Sequence, residues 1–497
     1  MTKKEKKPQL IELIELVEDM ASLVLDQHGM AFIKISVDGQ HKVIGINSQE
    51  FADWLRHYYL EATGKPILAM NLKDTCEHFS SMARSTGDKI TTSLRNAYVN
   101  KCAYVDLSNS KGEVVKLDEN GWALSTEPEI YFTKSGPMAE LPFALKTSDS
   151  NLTELLAPYL NLSDEHARYL LIGFIVASFF DLPSKAMLVI NGEQGSAKTT
   201  TTRIIGQLID PSKVKTQSTP TSMNDLMVAA ANSALLCFDN TSKLPPKLMN
   251  MICQLSTGAG FRRRKLYSDL DEIVFEISRM VIINGIDADI ISATDLLSRC
   301  VQIVLPAITG TQRISESKLW KNFYNDQPVI LGALYDVVVK VISIIDDIEL
   351  DDATRLTDFC RVGVAVERVL KWPEGAFMKA LTTMQAEAME IALESDVTAT
   401  GIQRVMENRT RWDGTADRLL STMNQLCGFD LTSQQLWPKS ARSLGIRLVK
   451  IMPALREQGI VIEKTKSGPR KITITNNSIA VNRPMKPESP LNKFDAA

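Results

Sequence analysis

The sequence predicts an α/β protein: a core of alternating strands and helices, preceded by an α+β module and followed by a helical region and a helix–helix–hairpin unit. Three observations predict it. The apolar run Leu188-Val-Ile-Asn breaks at Gly192, and a helical stretch opens at Lys198 after a short glycine loop. Further apolar runs, Ala234 to Asn240 and Met280 to Ile286, each carry a polar residue near their end, as strands do when they deliver side chains to one edge of a sheet. Residues 426–476 read as a short helix, a longer helix and two β runs.

The totals bound the answer. A chain of 497 residues is long enough for about three domains. Its hydrophobic content of 44% fills real cores, and its net charge of −3 confines any nucleic-acid binding to local patches. Seven cysteines without a C-x-x-C, and five scattered histidines, give no metal set; only Cys76 and His78 sit close. Reduced thiols in a cytoplasm are the simplest reading. The charged start, Met1-Thr-Lys-Lys-Glu-Lys-Lys, is no signal peptide. The longest apolar run, Leu170 to Phe180, falls short of the ~20 residues a membrane span needs and is expected as a buried helix.

The N-terminal α+β module is expected over 1–145. Residues 8–26 carry Leu10, Ile11, Ile14, Val17 and Met20 near helical spacing. Strands follow at Ala31 to Val37 and Lys42 to Ile46, joined by Asp38-Gly39, a hairpin signal. Helices are expected at 48–63 and 70–85, and β structure over 95–133. Asp38 and Asp106 are isolated, so the module lacks the paired carboxylates of a two-metal polymerase. The core is expected over 146–310, with one or two helices at 151–182 leading into it.

Gly192-Glu-Gln-Gly-Ser-Ala-Lys-Thr-Thr200 fits G-x-x-x-x-[GA]-K-[ST], a phosphate-binding loop, with Ala197 where glycine is usual. Gly192 and Gly195 let the backbone turn and approach phosphates closely. The N–H groups of Glu193, Gln194, Ser196 and Ala197, with the helix start, face the anion. Lys198 reaches the β- and γ-phosphates of ATP, and the Thr199 hydroxyl ligates Mg²⁺. Residues 216–224 are polar and read as a loop. In Ala234-Leu-Leu-Cys-Phe-Asp-Asn240, Asp239 at a strand tip is the second Mg²⁺ residue; taken alone, it equally suits a turn. Asn240 follows it. An amide orients a water but accepts no proton at neutral pH, so hydrolysis is slow or another group, such as Glu193, supplies the base.

Met280-Val-Ile-Ile-Asn-Gly-Ile286 reads as a third strand ending at Asn284, and Asp295 to Cys300 as a short helix entering the strand Val301 to Leu305. Arg299 lies just before that strand; a surface ion pair is its plainer role. Between the second and third strands, Arg262, Arg263, Arg264 and Lys265 precede a turn-like Ser-Asp, and Ile273 to Ile277 returns as a strand. Cations beside Phe261 and Tyr267 suit a nucleic-acid backbone and its bases, or a solvated loop, or ATP contacts in trans.

Residues 311–425 are expected to be helical, with Leu319, Phe323, Ile330, Leu334 and Val337 on one face. In 426–476, a short helix at Thr432 to Leu436 precedes a longer one at Lys439 to Gln458 carrying Arg447, with Pro453 as a kink or break. Two strands flank the basic tip Lys464-Thr-Lys466-Ser-Gly-Pro-Arg470-Lys471. That order is a winged helix, whose longer helix suits a major groove and whose wing suits phosphates, though winged helices also contact proteins. Residues 477–497 are polar and Pro-containing, as a disordered tail is.

With these residues in hand, the centre resembles the AAA+ class of P-loop ATPases, and more narrowly the helicase half of phage and plasmid primase-helicases, the superfamily three helicases. Gly192 to Thr199, Leu235 to Asn240, Asn284 and Arg299 carry the resemblance, with a winged helix behind them. The same motifs are similar to bacterial ATP-binding proteins of mobile elements over about 95–475. The resemblance implies ATP and Mg²⁺ as cofactors and a ring, often a hexamer, moving on single-stranded or forked DNA. It implies that Asn284 meets the γ-phosphate or its water and that Arg299 reaches the neighbour's γ-phosphate. Three functions remain in play: a replicative or mobile-element helicase, a nucleotide-regulated DNA-binding initiator with little hydrolysis, and a defence or signalling ATPase.

Overall fold

The computed structural model describes residues 7–37, 40–125, 128–146, 151–162, 164–242, 244–258, 260–264, 272–286, 290–291, 294–310, 313–350, 355–434, 436–465 and 471–477. The chain divides into two units: one of residues 1–290 with 298–385, the other of 291–297 with 386–497.

The first unit opens with α1 (Gln9–Glu18), β1 (Ala21–Leu25), β2 (Ala31–Val37), β3 (Gln40–Gly45), α2 (Gln49–Thr63), α3 (Ala69–Thr86) and β4 (Asp88–Lys89). The sheet order is β3-β2-β1-β4, and Leu13, Val17, Phe51, Leu55, Tyr59 and Phe79 share its core. Ser48 caps α2 by accepting from the Phe51 N–H, and Gly64 ends it at φ 69°. The helix expected over 8–26 stops after Glu18, because all five residues of β1 pair with β2; tertiary pairing overrides the local period. Asp38-Gly39 lies outside the described residues, but Val37 pairs with Gln40 across it, as a two-residue hairpin requires.

Next come β5 (Thr92–Ser93), β6 (Asn96–Val99), β7 (Cys102–Asp106), β8 (Val114–Asp118), β9 (Gly121–Ser125) and β10 (Tyr131–Phe132). Strands β6 to β9 form an antiparallel meander. Its inner side chains, Val105, Val115 and Trp122, join one large core with the helices that follow. Arg95, fully buried just before β6, is its polar anchor. It donates to Asp210 Oδ1 at 3.0 Å and to the carbonyls of Asp106, Ala139 and Pro211.

The central elements are α4 (Leu152–Leu156), α5 (Glu165–Ala177), β11 (Met187–Gly192), α6 (Lys198–Ile209), α7 (Met223–Asn232), β12 (Leu235–Phe238), α8 (Pro246–Ser256), β13 (Gly260–Arg264), β14 (Glu272–Glu276), β15 (Met280–Asn284) and β16 (Cys300–Leu305); α9 (Thr294–Leu297), between the last two in sequence, belongs to the second unit. The sheet is parallel throughout, in the order β12-β15-β11-β16. The chain leaves β11 toward β12, returns to β15, then crosses to β16 on the far side of β11. The direction of winding therefore reverses at β11, and ligands of open parallel sheets bind at the C-terminal ends of strands at such a point. Beyond β12, Gln217 forms one further parallel bridge to Phe238, so the expected loop holds a rudimentary edge strand. Helix α7 was not legible in the sequence. Helix α5 is buried on every side from Tyr169 to Ala177, as expected of a helix apolar all round.

Helices α10 (Glu316–Ile344) and α11 (Thr357–Leu370) close the first unit, and α12 (Ala376–Glu394) leads out of it. The segment Glu316–Asp347 is long and apolar enough to cross a membrane, yet Phe323, Ile330, Leu334 and Val338 sit in the unit's core. The second unit holds α13 (Val397–Met406), β17 (Arg411–Gly414), α14 (Ala416–Leu426), α15 (Phe429–Thr432), α16 (Ala441–Glu457), β18 (Ile460–Lys464) and β19 (Ile472–Asn476). Its antiparallel sheet runs β17-β19-β18. Strand β17 corrects the expectation of helix throughout 316–425; Arg411-Trp-Asp-Gly carries one apolar side chain, so only pairing with β19 makes it a strand. Pro453 does not split α16; it falls on the exposed side of a helix that runs on to Glu457. The expected short helix sits a few residues earlier, at α15. Residues 478–497 lie outside the described residues.

Candidate functional site

Gly192 ends β11 at φ 154°, and a Cβ there would meet the Leu305 carbonyl and Ser196 Oγ, each at 2.6 Å. Only glycine lets the loop leave the sheet this way. Gly195 follows at φ 83° and Ala197 at φ 68°, so the loop turns through two left-handed residues before α6 begins. Ala197 therefore sits where glycine would be relaxed; an L residue in this region costs about 1–2 kcal/mol. Glu193 and Gln194 are exposed, whereas Ser196 is fully buried. Ser196 Oγ and Asn191 Oδ1 find no partner among the described residues, a polar cradle under the loop.

Lys198 Nζ donates to the carbonyls of Gly192 and Glu193, at 2.7 and 2.8 Å, closing the loop with its ammonium. Burial holds this lysine below its usual range, against the opposing pull of the Asp239 carboxylate. Thr199 Oγ1 donates to Asp239 Oδ1 at 2.9 Å, and Thr216 Oγ1 reaches Asp239 Oδ2 at 3.3 Å. The two residues expected to hold a cation, 40 positions apart, thus meet at the C-terminal edge of the sheet. Among the described residues no cluster of three or more His, Cys, Asp or Glu could hold a metal. A hydroxyl beside one carboxylate suits Mg²⁺, which binds through few protein ligands and keeps its phosphates and waters.

Asn240 adopts φ 53°, a region asparagine tolerates better than glutamate. Its N–H donates to Asn284 Oδ1 at 3.0 Å, and Asn284 Nδ2 donates to Thr202 Oγ1 at 2.8 Å. Asn284 is buried and braces β12, β15 and α6 together. Arg299 precedes β16 at the opposite edge of the sheet, about 20 Å of strand away from the loop. Its Nη1 donates to Ser184 Oγ at 3.2 Å, while the buried Nε has no partner among the described residues. The site thus brings together Lys198, Thr199, Asp239, Asn240 and Asn284, and leaves Arg299 apart.

Two residues here escaped the sequence. The Arg313 guanidinium lies over Gly195, 3.5 Å from where its Cβ would be. Asn161 Nδ2 donates to the carbonyls of Ser196 and Pro306, pinning the loop. The one available signal was that Arg313 closely follows a strand ending beside Gly192.

Of the expected nucleic-acid contacts, Arg262, Arg263 and Arg264 lie on β13, which pairs with β14 as an antiparallel hairpin. Lys265, Lys466 and Arg470 lie outside the described residues. Lys464 is half-buried, lowered by burial, and donates to the Gly445 carbonyl at 2.9 Å, so it ties β18 to α16. Lys471 is exposed, and Arg447 is half-buried beside the outer face of α16, which carries Arg442, Ile446, Val449 and Lys450.

Fold and site define an α/β protein built around a glycine loop at the reversal point of a parallel sheet. The sequence model described as actinomycete integrative conjugative element replication protein matches residues 153–376. That of the AICE RepA C-terminal domain matches 398–488. The chain belongs to this family of mobile-element replication proteins. No relative is found among the curated proteins. Among solved structures it is similar to the active helicase Cch of SCCmec type IV, at 11% identity and TM-score 0.47, covering 93% of this chain and 95% of that one. It is also similar to the apo C-terminal region of NrS-1, at 11% identity and TM-score 0.42, covering 95% and 100%.

Proposed function

We propose that the chain is a DNA-dependent ATPase of the AAA+ P-loop kind, a ring-forming helicase that serves replication of its mobile element in the cytoplasm. The observation that carries this reading is the meeting of Thr199 with Asp239 beside a lysine-closed glycine loop at the reversal point of the sheet. The orphaned Ser196 and Asn191 oxygens and the space that only Gly192 leaves open are what a loop wrapped around phosphates would need.

In this reading Lys198 exchanges its two carbonyls for the β- and γ-phosphate oxygens of ATP. Thr199 and Asp239 would hold Mg²⁺, which when bound would supply neutralisation of the phosphate charge. Arg313 adds a second cation on the same subunit's loop. Asn284 holds the Asn240 backbone so that the Asn240 side chain faces the attacking water. Arg299, far from its own loop, serves a neighbour's site in a ring such as a hexamer; the hairpin β13–β14 and a C-terminal winged helix, α13 to β19, contact DNA.

A second reading keeps the nucleotide site but drops fast turnover: an initiator that assembles on ATP. Asn240 favours it, because no proton acceptor follows Asp239. Binding of a fluorescent ATP analogue with and without Mg²⁺ tests what the two share. Wild type binds it with Mg²⁺ and Asp239→Asn weakens it; equal affinity in both proteins would remove the nucleotide site from the account. Native mass measurement with ATP then reads the assembly.

A further inference from the structure

A cleft of about 680 Å³ opens on the side of the first unit where the strands of the parallel sheet begin. It is lined from three directions: the N-terminal module supplies Gln27, Thr92 and Asn96, the end of α5 supplies Ser178 and Phe180, and the core supplies Lys185 and Arg279. A polar chamber of about 120 Å³ adjoins it, sharing Asn96, Lys185 and Arg279. The hairpin β13–β14 leaves the body between Gly258 and Ile277, and both line the cleft.

The chemistry of this lining is unusual for a seam. Asn96 Oδ1 is buried and has no partner among the described residues, and its Nδ2 reaches only the Ser178 carbonyl, at 3.4 Å. An unmet buried acceptor is costly and calls for an occupant. Arg279 is half-buried and donates to the carbonyls of Ala230, Ser233 and Ser278, with no carboxylate among these partners. Lys185 has a largely buried side chain; its Nζ pairs with the mostly exposed Asp181 carboxylate at 3.2 Å and reaches the Phe180 carbonyl at 3.4 Å. Asp26, the other acid here, is satisfied by the His28 and Met30 N–H groups and the Thr92 hydroxyl. Tyr98, half-buried, lies against Phe180 with ring centres 5.0 Å apart. A ring face, an amide with a free acceptor and two cations within one cavity match a base and its phosphate.

We propose that this cleft holds a nucleotide of single-stranded DNA, its base against Tyr98 and the Asn96 amide and its phosphate at Lys185 and Arg279, in line with the root of the β13–β14 hairpin. The N-terminal module then acts as one wall of the strand's path. This rests on the reading of the chain as a DNA-dependent protein, but it assigns a separate contact.

The full chain is titrated with labelled oligodeoxythymidylate in the absence of ATP, as wild type, Lys185→Gln and the hairpin variant Arg263→Ala. Lys185→Gln should bind about tenfold more weakly, with the salt slope lowered by about 0.7, the share of one phosphate on a single strand. In wild type, an oligonucleotide carrying 5-iododeoxyuridine should crosslink under ultraviolet light to the peptide containing Tyr98, a readout independent of how any variant folds. Loss with Arg263→Ala but not with Lys185→Gln, and crosslinks confined to the hairpin or residues 386–497, would overturn the cleft while leaving DNA binding intact. No binding by wild type would remove both. Saturation by deoxythymidine monophosphate or inorganic phosphate alone, without strand crosslinking, would make the cleft a free-nucleotide or free-anion pocket and overturn the strand assignment.

Discussion

Replacing Arg95 with methionine tests how the N-terminal sheet is fastened to the core. Arg95 and Asp210 are 0% and 3% exposed and pair at 3.0 Å. Asp210 Oδ2 meanwhile accepts from the N–H groups of Ala234 and Leu235, at 2.8 and 3.3 Å, where β12 begins. Asp210 also ends α6, whose other end carries Lys198 and Thr199. Methionine fills much of the volume but leaves the Asp210 charge buried and three carbonyls short of a donor. Breaking a buried pair from one side costs about 3–5 kcal/mol, against less than about 1 kcal/mol for an exposed pair such as Lys7–Glu15. We expect Arg95→Met to lose about 4 kcal/mol in urea unfolding of the first unit. Arg95→Met combined with Asp210→Asn should lose less than the sum of the two, with a coupling of about 2 kcal/mol or more. A loss under about 1 kcal/mol for Arg95→Met, or additivity of the pair, would refute the claim that this bond fastens sheet to core.

Other predictions follow from single distances. Gly192→Ala places a Cβ 2.6 Å from the Leu305 carbonyl and Ser196 Oγ, so it should abolish binding of an ATP analogue and lower stability by about 1–3 kcal/mol in thermal unfolding. Asn240→Asp keeps a residue type that tolerates φ 53° and adds a proton acceptor, so turnover should rise about tenfold or more, while Asn240→Glu should gain less because it strains the backbone. Asp413 is held at about 2 by Arg411 and Thr473. Its folded value lies below its unfolded one, so its contribution is complete above about pH 4 and is lost as pH falls toward 2. Far-UV dichroism should show Asp413→Asn with a shallower acid transition in the second unit than wild type.

The sequence revealed the centre of the molecule more fully than its edges. Gly192, Lys198 and Asp239 stood out because they fit a pattern of residue types at fixed spacings, with apolar runs beside them that do form β11 and β12. Strand β1 was hidden because Leu10 to Met20 sets a helical period that runs up to it, and nothing local says that Ala21 to Leu25 will pair with β2. Strand β17 was hidden because it is mostly polar, and α7 because it abuts a polar stretch. Arg95, Asn161 and Arg313 act across separations of 115, 35 and 118 residues, so no window of sequence contains both partners. Lys464 shows the converse: its charge suggested a wing contact, while the fold turns it onto a carbonyl of α16.

Steady-state ATP hydrolysis by the full chain, with and without single-stranded DNA and beside Lys198→Ala, tests the central claim most directly. The account predicts turnover that DNA raises and Lys198→Ala abolishes, because Lys198 is the cation that closes the loop. Hydrolysis that persists in Lys198→Ala, or that ignores DNA altogether, would contradict it.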